Sequence, residues 1–159
     1  MQKALSQIKD VDKKILMELD DKSLLEFCKT GKYGNELCKD ELFWKKRFND
    51  RFGRTDKNES RSWKDFYLKM VYYLDKYSNH ALYHMSLKGI KNLDLIKVLL
   101  VRKFNVNDGL IAAAREGHKN LVEFFVSRGA TDLISAYLNA KSQEVRDYLR
   151  MLGLQVFQM

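Results

Sequence analysis

Helical periodicity governs this chain from end to end. Apolar residues recur at spacings of three and four in every segment, and no segment alternates convincingly with period two. No proline in the 159 residues interrupts the pattern. Ile8, Val11, Ile15, Leu16 and Leu19 form a first stripe. Asp20 and Asp21 break it and offer caps for a helix over Ser23 to Lys29 that presents Leu24, Leu25, Phe27 and Cys28. Thr30 to Gly34 reads as a turn because two glycines stand close together, and a short helix with Leu37 and Cys38 follows. Asp40 then caps Glu41–Phe52, whose apolar members are Phe43, Trp44, Phe48 and Phe52. After the polar stretch Gly53 to Glu59, Ser62-x-x-Asp65 has the form of a capping box. It opens a helix with Trp63, Phe66, Tyr67, Met70, Val71, Leu74 and Tyr77 on a broad face. A face that wide must be covered on both sides, so Trp44 and Trp63 are expected in the core. The fold class these patterns predict is all-α.

The second half repeats itself. Three short helices rich in small residues, at Ala81–Lys88, Gly109–Gly117 and Leu133–Ala140, are each followed by a second helix, at Leu93–Leu100, Asn120–Val126 and Glu144–Leu149. Ile96, Val122 and Val145 hold equivalent places, at steps of 26 and 23 residues. Helix pairs at a nearly fixed step are the signature of a solenoid, in which each pair buries its apolar face against the next. The apolar run after Leu149 must then cover the open end. Leu152, Leu154, Val156 and Phe157 are expected to fold back onto the last pair, with Gly153 stopping the helix, or to meet a second chain.

Composition narrows the function. A hydrophobic fraction of 45% supports a packed core. No apolar run exceeds five residues, too short to span a bilayer. Cys28 and Cys38 sit in helix-like segments and read as reduced, intracellular thiols. The net charge of +8 is uneven. Its densest stretch is Lys45, Lys46, Arg47, Arg51, Arg54, Lys57, Arg61 and Lys64, set against Asp50, Asp56 and Glu59. Such density suits a phosphate backbone, an acidic protein surface or a merely solvated helix face. His80 and His84 are one turn apart but lack the glutamate of a zinc protease motif. No phosphate-binding glycine loop and no nucleophile motif is present, so neither catalysis nor a metal or other cofactor is expected.

Two stretches resemble known families. Glu116-Gly-His-Lys-Asn-Leu-Val122 followed by Ser127-Arg-Gly-Ala130 resembles an ankyrin repeat, and Asn92-Leu-Asp-Leu-Ile96 through Phe104-Asn-Val-Asn107 resembles a divergent copy. The resemblance implies that Gly117 makes the tight turn between helices and that His118 hydrogen-bonds backbone in that turn. The steps of 26 and 23 are shorter than the ankyrin period of about 33, so the projecting loops are expected to be trimmed. Ile15 to Lys29, continued by Leu37-Cys-Lys-Asp-Glu-Leu-Phe-Trp44, resembles an F-box; its usual opening Leu-Pro is absent, with Ile8 nearest. The resemblance divides the chain into 1–55, an F-box-like segment; 56–79, a linker and bridging helix; and 80–159, divergent ankyrin-like repeats with a C-terminal cap. That order is similar to F-box/ankyrin proteins of large DNA viruses, which implies an intracellular setting, the host cytoplasm before the nucleus.

In the F-box family the first helices bind the Skp-type adaptor of a cullin–RING ubiquitin ligase, and a substrate protein sits on the repeats. Carried onto this sequence, Ile8, Val11, Ile15, Leu16, Leu24 and Leu25 are the docking candidates. The competing expectation is a basic nucleic-acid-binding or virion-packing protein that uses the Lys45–Lys64 stretch.

Overall fold

Capped apolar stripes become helices here, and the caps are visible atom by atom. The computed structural model describes residues 9–158, with side chains from 11 to 153. Among these residues the regular structure is helical, with no strand. α1 (Lys9–Met17) is followed by α2 (Asp21–Cys28), whose first amides are met by the Asp20 carboxylate, 2.7 Å from the Ser23 amide. The expected turn at Thr30–Gly34 is instead the first part of a helix, α3 (Gly31–Leu37). Gly34 lies buried within it, so its missing side chain serves packing and not a chain reversal. Asp40 caps α4 (Glu41–Phe52), accepting from the Phe43 amide at 3.0 Å. Ser62 caps α5 (Trp63–Tyr77), its hydroxyl 3.1 Å from the Asp65 amide.

The chain divides into two units. The first takes the described residues up to Thr55 with Ser60–Leu68, and the second takes Asp56–Glu59 with the chain from Lys69 onward. The segment 56–79 therefore gives residues to both.

The interior of the first unit is aromatic. Trp44 is 1% exposed, and its ring lies 5.4 Å from Phe43 and 5.6 Å from Tyr67. Phe48 stands 5.0 Å from Phe52, 4.9 Å from Phe66 and 5.7 Å from Trp63. Edge and tilted contacts at these distances add to the burial of large apolar area. Trp44 also donates its indole N–H to the Cys38 carbonyl at 2.7 Å, so the buried ring leaves no polar atom orphaned. Trp63, expected to be buried like Trp44, is only half-buried, because it starts α5 at the edge of the cluster.

A second expectation is corrected here. Cys28 and Cys38 are not free thiols: they form a disulfide, with Cα atoms 5.6 Å apart. Cys28 ends α2 and Cys38 follows α3, so the two helices return the chain on itself and bring the sulfurs together.

The second unit contains the helix pairs the repeat pattern predicts. They are α6 (Ala81–Leu87) with α7 (Leu93–Val101), α8 (Val106–Glu116) with α9 (Lys119–Ser127), and α10 (Leu133–Asn139) with α11 (Gln143–Gln158). The first helices stack on one another, α8 lying between α6 and α10, and α11 follows α9 in the second row. Ile96, Val122 and Val145, matched by the repeat pattern, are all fully buried. Close approach comes from small residues: Ala81, Ala112, Ala113, Ala114 and Ala136 are each wholly buried. Gly109 lets the Phe125 ring lie against α8, where an added Cβ would fall 2.4 Å from it.

Gly117 adopts φ +77° and closes α8, as the sequence suggested. His118 does not bond within its own turn. Its Nε2 reaches the Leu87 carbonyl at 2.9 Å, tying the second pair to the first. Asn107 makes the corresponding tie to the third pair, its Oδ1 accepting from the Thr131 and Asp132 amides at 2.8 and 3.0 Å. At the far end, Gly153 does not stop the last helix, since α11 runs through it to Gln158. The expected fold-back rested on that stop. Leu154, Val156 and Phe157 lie outside the described side chains.

Candidate functional site

The described docking candidates, and every basic candidate except Lys57, fall in the first unit, where α1, α2 and α4 enclose a groove of about 1180 Å³. Its walls mix charges of both signs with apolar side chains: Lys13, Asp21, Asp40, Arg47, Arg51 and Leu42 are among them. Lys13 and Asp40 are ion-paired across it, joining α1 to the cap of α4. This pairing holds the Asp40 carboxyl below the usual carboxylate range.

Asp21, at the start of α2, organises the floor. Arg47 donates to its Oδ1 from Nε at 3.2 Å and from Nη2 at 2.9 Å. Arg51 donates to Oδ2 at 2.6 Å, and the Tyr67 hydroxyl donates to Oδ1 at 2.6 Å. Arg47 also donates to the carbonyls of Met17 and Leu19, at 3.2 and 2.7 Å, and so satisfies acceptors that the end of α1 leaves open. Burial would raise the Asp21 carboxyl, but hydrogen bonds from Tyr67 and Arg47 and the two guanidinium charges outweigh it and hold the group below its ordinary value. Burial, and then donation to Asp21, push the Tyr67 phenol upward. Neither group is poised to trade a proton near neutral pH; the network orients helices.

The docking candidates separate into two sets. Leu16 and Leu24 are 1% and 0% exposed, so both belong to the core and neither can meet a partner. Val11 and Ile15, one turn apart on α1, are 44% and 42% exposed. Leu25 is half-buried, and Ile8 lies outside the described residues. The inward side of α1 carries Leu16 together with Asp12, a fully buried carboxylate that accepts from the Tyr33 hydroxyl. That bond, more than burial or charge, pushes the Tyr33 phenol up to about 12. Leu42, absent from the sequence candidates, is 76% exposed and lines the groove. Its signal was its phase: it sits off the stripe formed by Phe43, Trp44 and Phe48, on the side of Lys45 and Lys46.

The basic stretch is largely committed internally. Arg47 is 7% exposed and bound to Asp21, which removes it from the expected phosphate-contacting set. Arg51 shares the same carboxylate, and Lys46 pairs with Asp50 at 2.8 Å. Lys45 lies over the Trp63 ring at 5.8 Å, and Lys64 over the Trp44 ring at 6.0 Å. Lys57 donates to the Glu59 carbonyl at 3.0 Å. Arg54 is exposed and Arg61 half-buried. Arg47, Arg51 and Lys46 are thus held by carboxylates.

Among the described residues no group of histidine, cysteine and carboxylate side chains could hold a metal ion, and no helix is long and apolar enough to cross a membrane. Comparison with protein-family models, with curated proteins and with solved structures finds no match to this chain.

Proposed function

We propose that this chain is a protein-interaction adaptor. Its first unit, F-box-like in sequence, docks a Skp-type cullin–RING adaptor, and its stack of divergent ankyrin-like helix pairs carries a substrate protein. The observation that carries the reading is the pair Val11 and Ile15: two branched apolar side chains, one turn apart on α1, that stay more than two-fifths exposed. Apolar residues left outward on one helix face supply the desolvated centre that a protein interface needs. Leu42, on α4, is a further exposed apolar side chain and lines the groove. On the stack, Ile134, Tyr137 and Leu138 stand at helical spacing on α10 and are among the exposed apolar residues offered to a substrate.

Double substitution Val11→Asp and Ile15→Asp tests the docking half. Both side chains are exposed, so the variant should keep the circular dichroism of the parent. A purified Skp-type adaptor should bind the parent chain and lose at least about tenfold in affinity for the variant. A parent chain that fails to bind the adaptor, or a variant that binds it equally well, removes the docking assignment.

The geometry favours the adaptor over a nucleic-acid role for the Lys45–Lys64 stretch, because Arg47 and Arg51 are spent on Asp21.

A further inference from the structure

The second unit holds a cleft that the adaptor reading does not use. It measures about 640 Å³, within the range of small-molecule sites, roughly 300–1,000 Å³. One wall is a single face of α5, where Lys69, Tyr72, Tyr73, Lys76 and Tyr77 recur at i, i+3, i+4, i+7 and i+8. The other is a face of α6 with His84, Leu87 and Lys88, and Glu116 closes the end of α8.

Two properties of this cleft point to a ligand. The first is its π surface. Tyr77 and His84 lie stacked, ring centroids 3.7 Å apart and planes 11° from parallel. Tyr73 stands 5.9 Å from Tyr77 and is 3% exposed, forming the floor, while Tyr72 is half open at the rim. Burial first, and then the charges of His80 and Lys76, hold His84 below the ordinary imidazole value. That shift favours the uncharged ring in the stack.

The second property is how the lysines are held. Lys69 lies 5.6 Å from the Tyr72 ring and 5.7 Å from the Tyr73 ring. Lys76 lies over Tyr72 and Tyr77 at 5.3 and 5.4 Å and donates to the Tyr72 hydroxyl at 3.0 Å. Their contacts here are aromatic rings and a phenol hydroxyl, with no carboxylate among them. Lys88 is a third cation, against the single carboxylate of Glu116.

We propose that this cleft binds a nucleotide, either free or as the end of a single strand. The base extends the Tyr77–His84 stack, and the phosphates lie among Lys69, Lys76 and Lys88. Stacking of a base on an aromatic side chain tolerates any base, because every base has a π-face. The lysine charges supply the salt-sensitive remainder.

Equilibrium dialysis of the whole chain against ATP, adenosine, inorganic triphosphate and a uridine octamer tests the assignment. ATP should bind below about 1 mM, with adenosine and triphosphate each at least about tenfold weaker. The double variant Lys69→Ala and Lys76→Ala removes two exposed side chains, so it should keep the parent's circular dichroism while losing about tenfold or more in ATP affinity. His84→Ala should weaken ATP and leave triphosphate unchanged. An octamer that binds much more tightly than ATP identifies a strand end as the source, and comparable affinities identify the free nucleotide. Triphosphate binding as tight as ATP would reduce the cleft to a general anion patch and overturn the proposal. So would the absence of ATP and octamer binding, or a lysine variant with parental affinity.

Discussion

The two units solve the same problem, burying one face of each helix, with different materials. The first relies on a few large side chains and specific long-range ties: rings from Phe43 to Tyr67 touching in series, one carboxylate shared by two arginines and a tyrosine, and a disulfide. The second relies on repetition. Its alanines let neighbouring helices approach, and polar side chains, His118 and Asn107 among them, tie each pair to the next. Damage to the first unit should therefore be concentrated, with large losses at few positions. In the second it should be spread over interfaces of similar, smaller worth.

The largest effect is expected at Trp44. Truncation to alanine empties a fully buried ring site and strands the Cys38 carbonyl that the indole N–H satisfies. Loss of about 3–5 kcal/mol is expected, measured by urea denaturation followed through the remaining indole of Trp63. A loss below about 1 kcal/mol would show that the ring series is not what holds the first unit.

Next comes the Cys28–Cys38 bridge, which closes a loop with a sequence separation of 10. A loop of that size stabilises by about 3 kcal/mol through the unfolded state. Cys28→Ala with Cys38→Ala should lower the urea midpoint accordingly, and a reducing agent should lower the parent and leave the variant unmoved. A parent indifferent to reductant would argue that the thiols are free.

Asp21 should matter somewhat less. Replacement by asparagine keeps the shape and removes the charge beside buried Arg47, which should cost about 2 kcal/mol at neutral pH. The carboxyl is held below its ordinary value in the folded chain, so its contribution is complete above that value of 3.8 and lost as pH falls through the folded one. The parent should thus lose stability on acidification below about pH 4 more steeply than Asp21→Asn. Parallel acid limbs in the two proteins would take Asp21 out of the stabilising network.

What could be read from the sequence follows from which information is local. Helix starts were legible because their caps are local: Asp20, Asp40 and Ser62 each meet an amide three residues on. The helix pairs were legible because burial recurs at Ile96, Val122 and Val145. The orientation of α1 was not. A stripe through Val11, Ile15 and Leu16 is wider than the face that is buried, and the contacts that fix which edge turns inward, Asp12 with Tyr33 and Lys13 with Asp40, are distant in sequence. Arg47 looked like a surface cation because its partner, Asp21, lies 26 residues away. The thiols looked free because nothing local brings Cys28 within 5.6 Å of Cys38. On α5, Tyr77 looked like core because it continues the spacing of Met70 and Leu74, yet it lines a cleft.

The smallest effect distinguishes the ends of the stack. In the second unit Gly109 cannot be replaced without displacing the Phe125 ring, whereas Gly153, inside α11, has no atom within 4 Å of an added Cβ. Glycine in a helix interior costs about 0.5–1 kcal/mol relative to alanine, because the unfolded chain has more freedom to lose. With open space and helical backbone, Gly153→Ala should recover that amount and raise the melting temperature by a few degrees, roughly 2–4 °C. Gly109→Ala, at an apparently similar helical glycine, should lower it. The pair separates two explanations of the C-terminus by sign alone. If α11 continues through Gly153, alanine stabilises; if the chain turned there, alanine would resist the turn and destabilise.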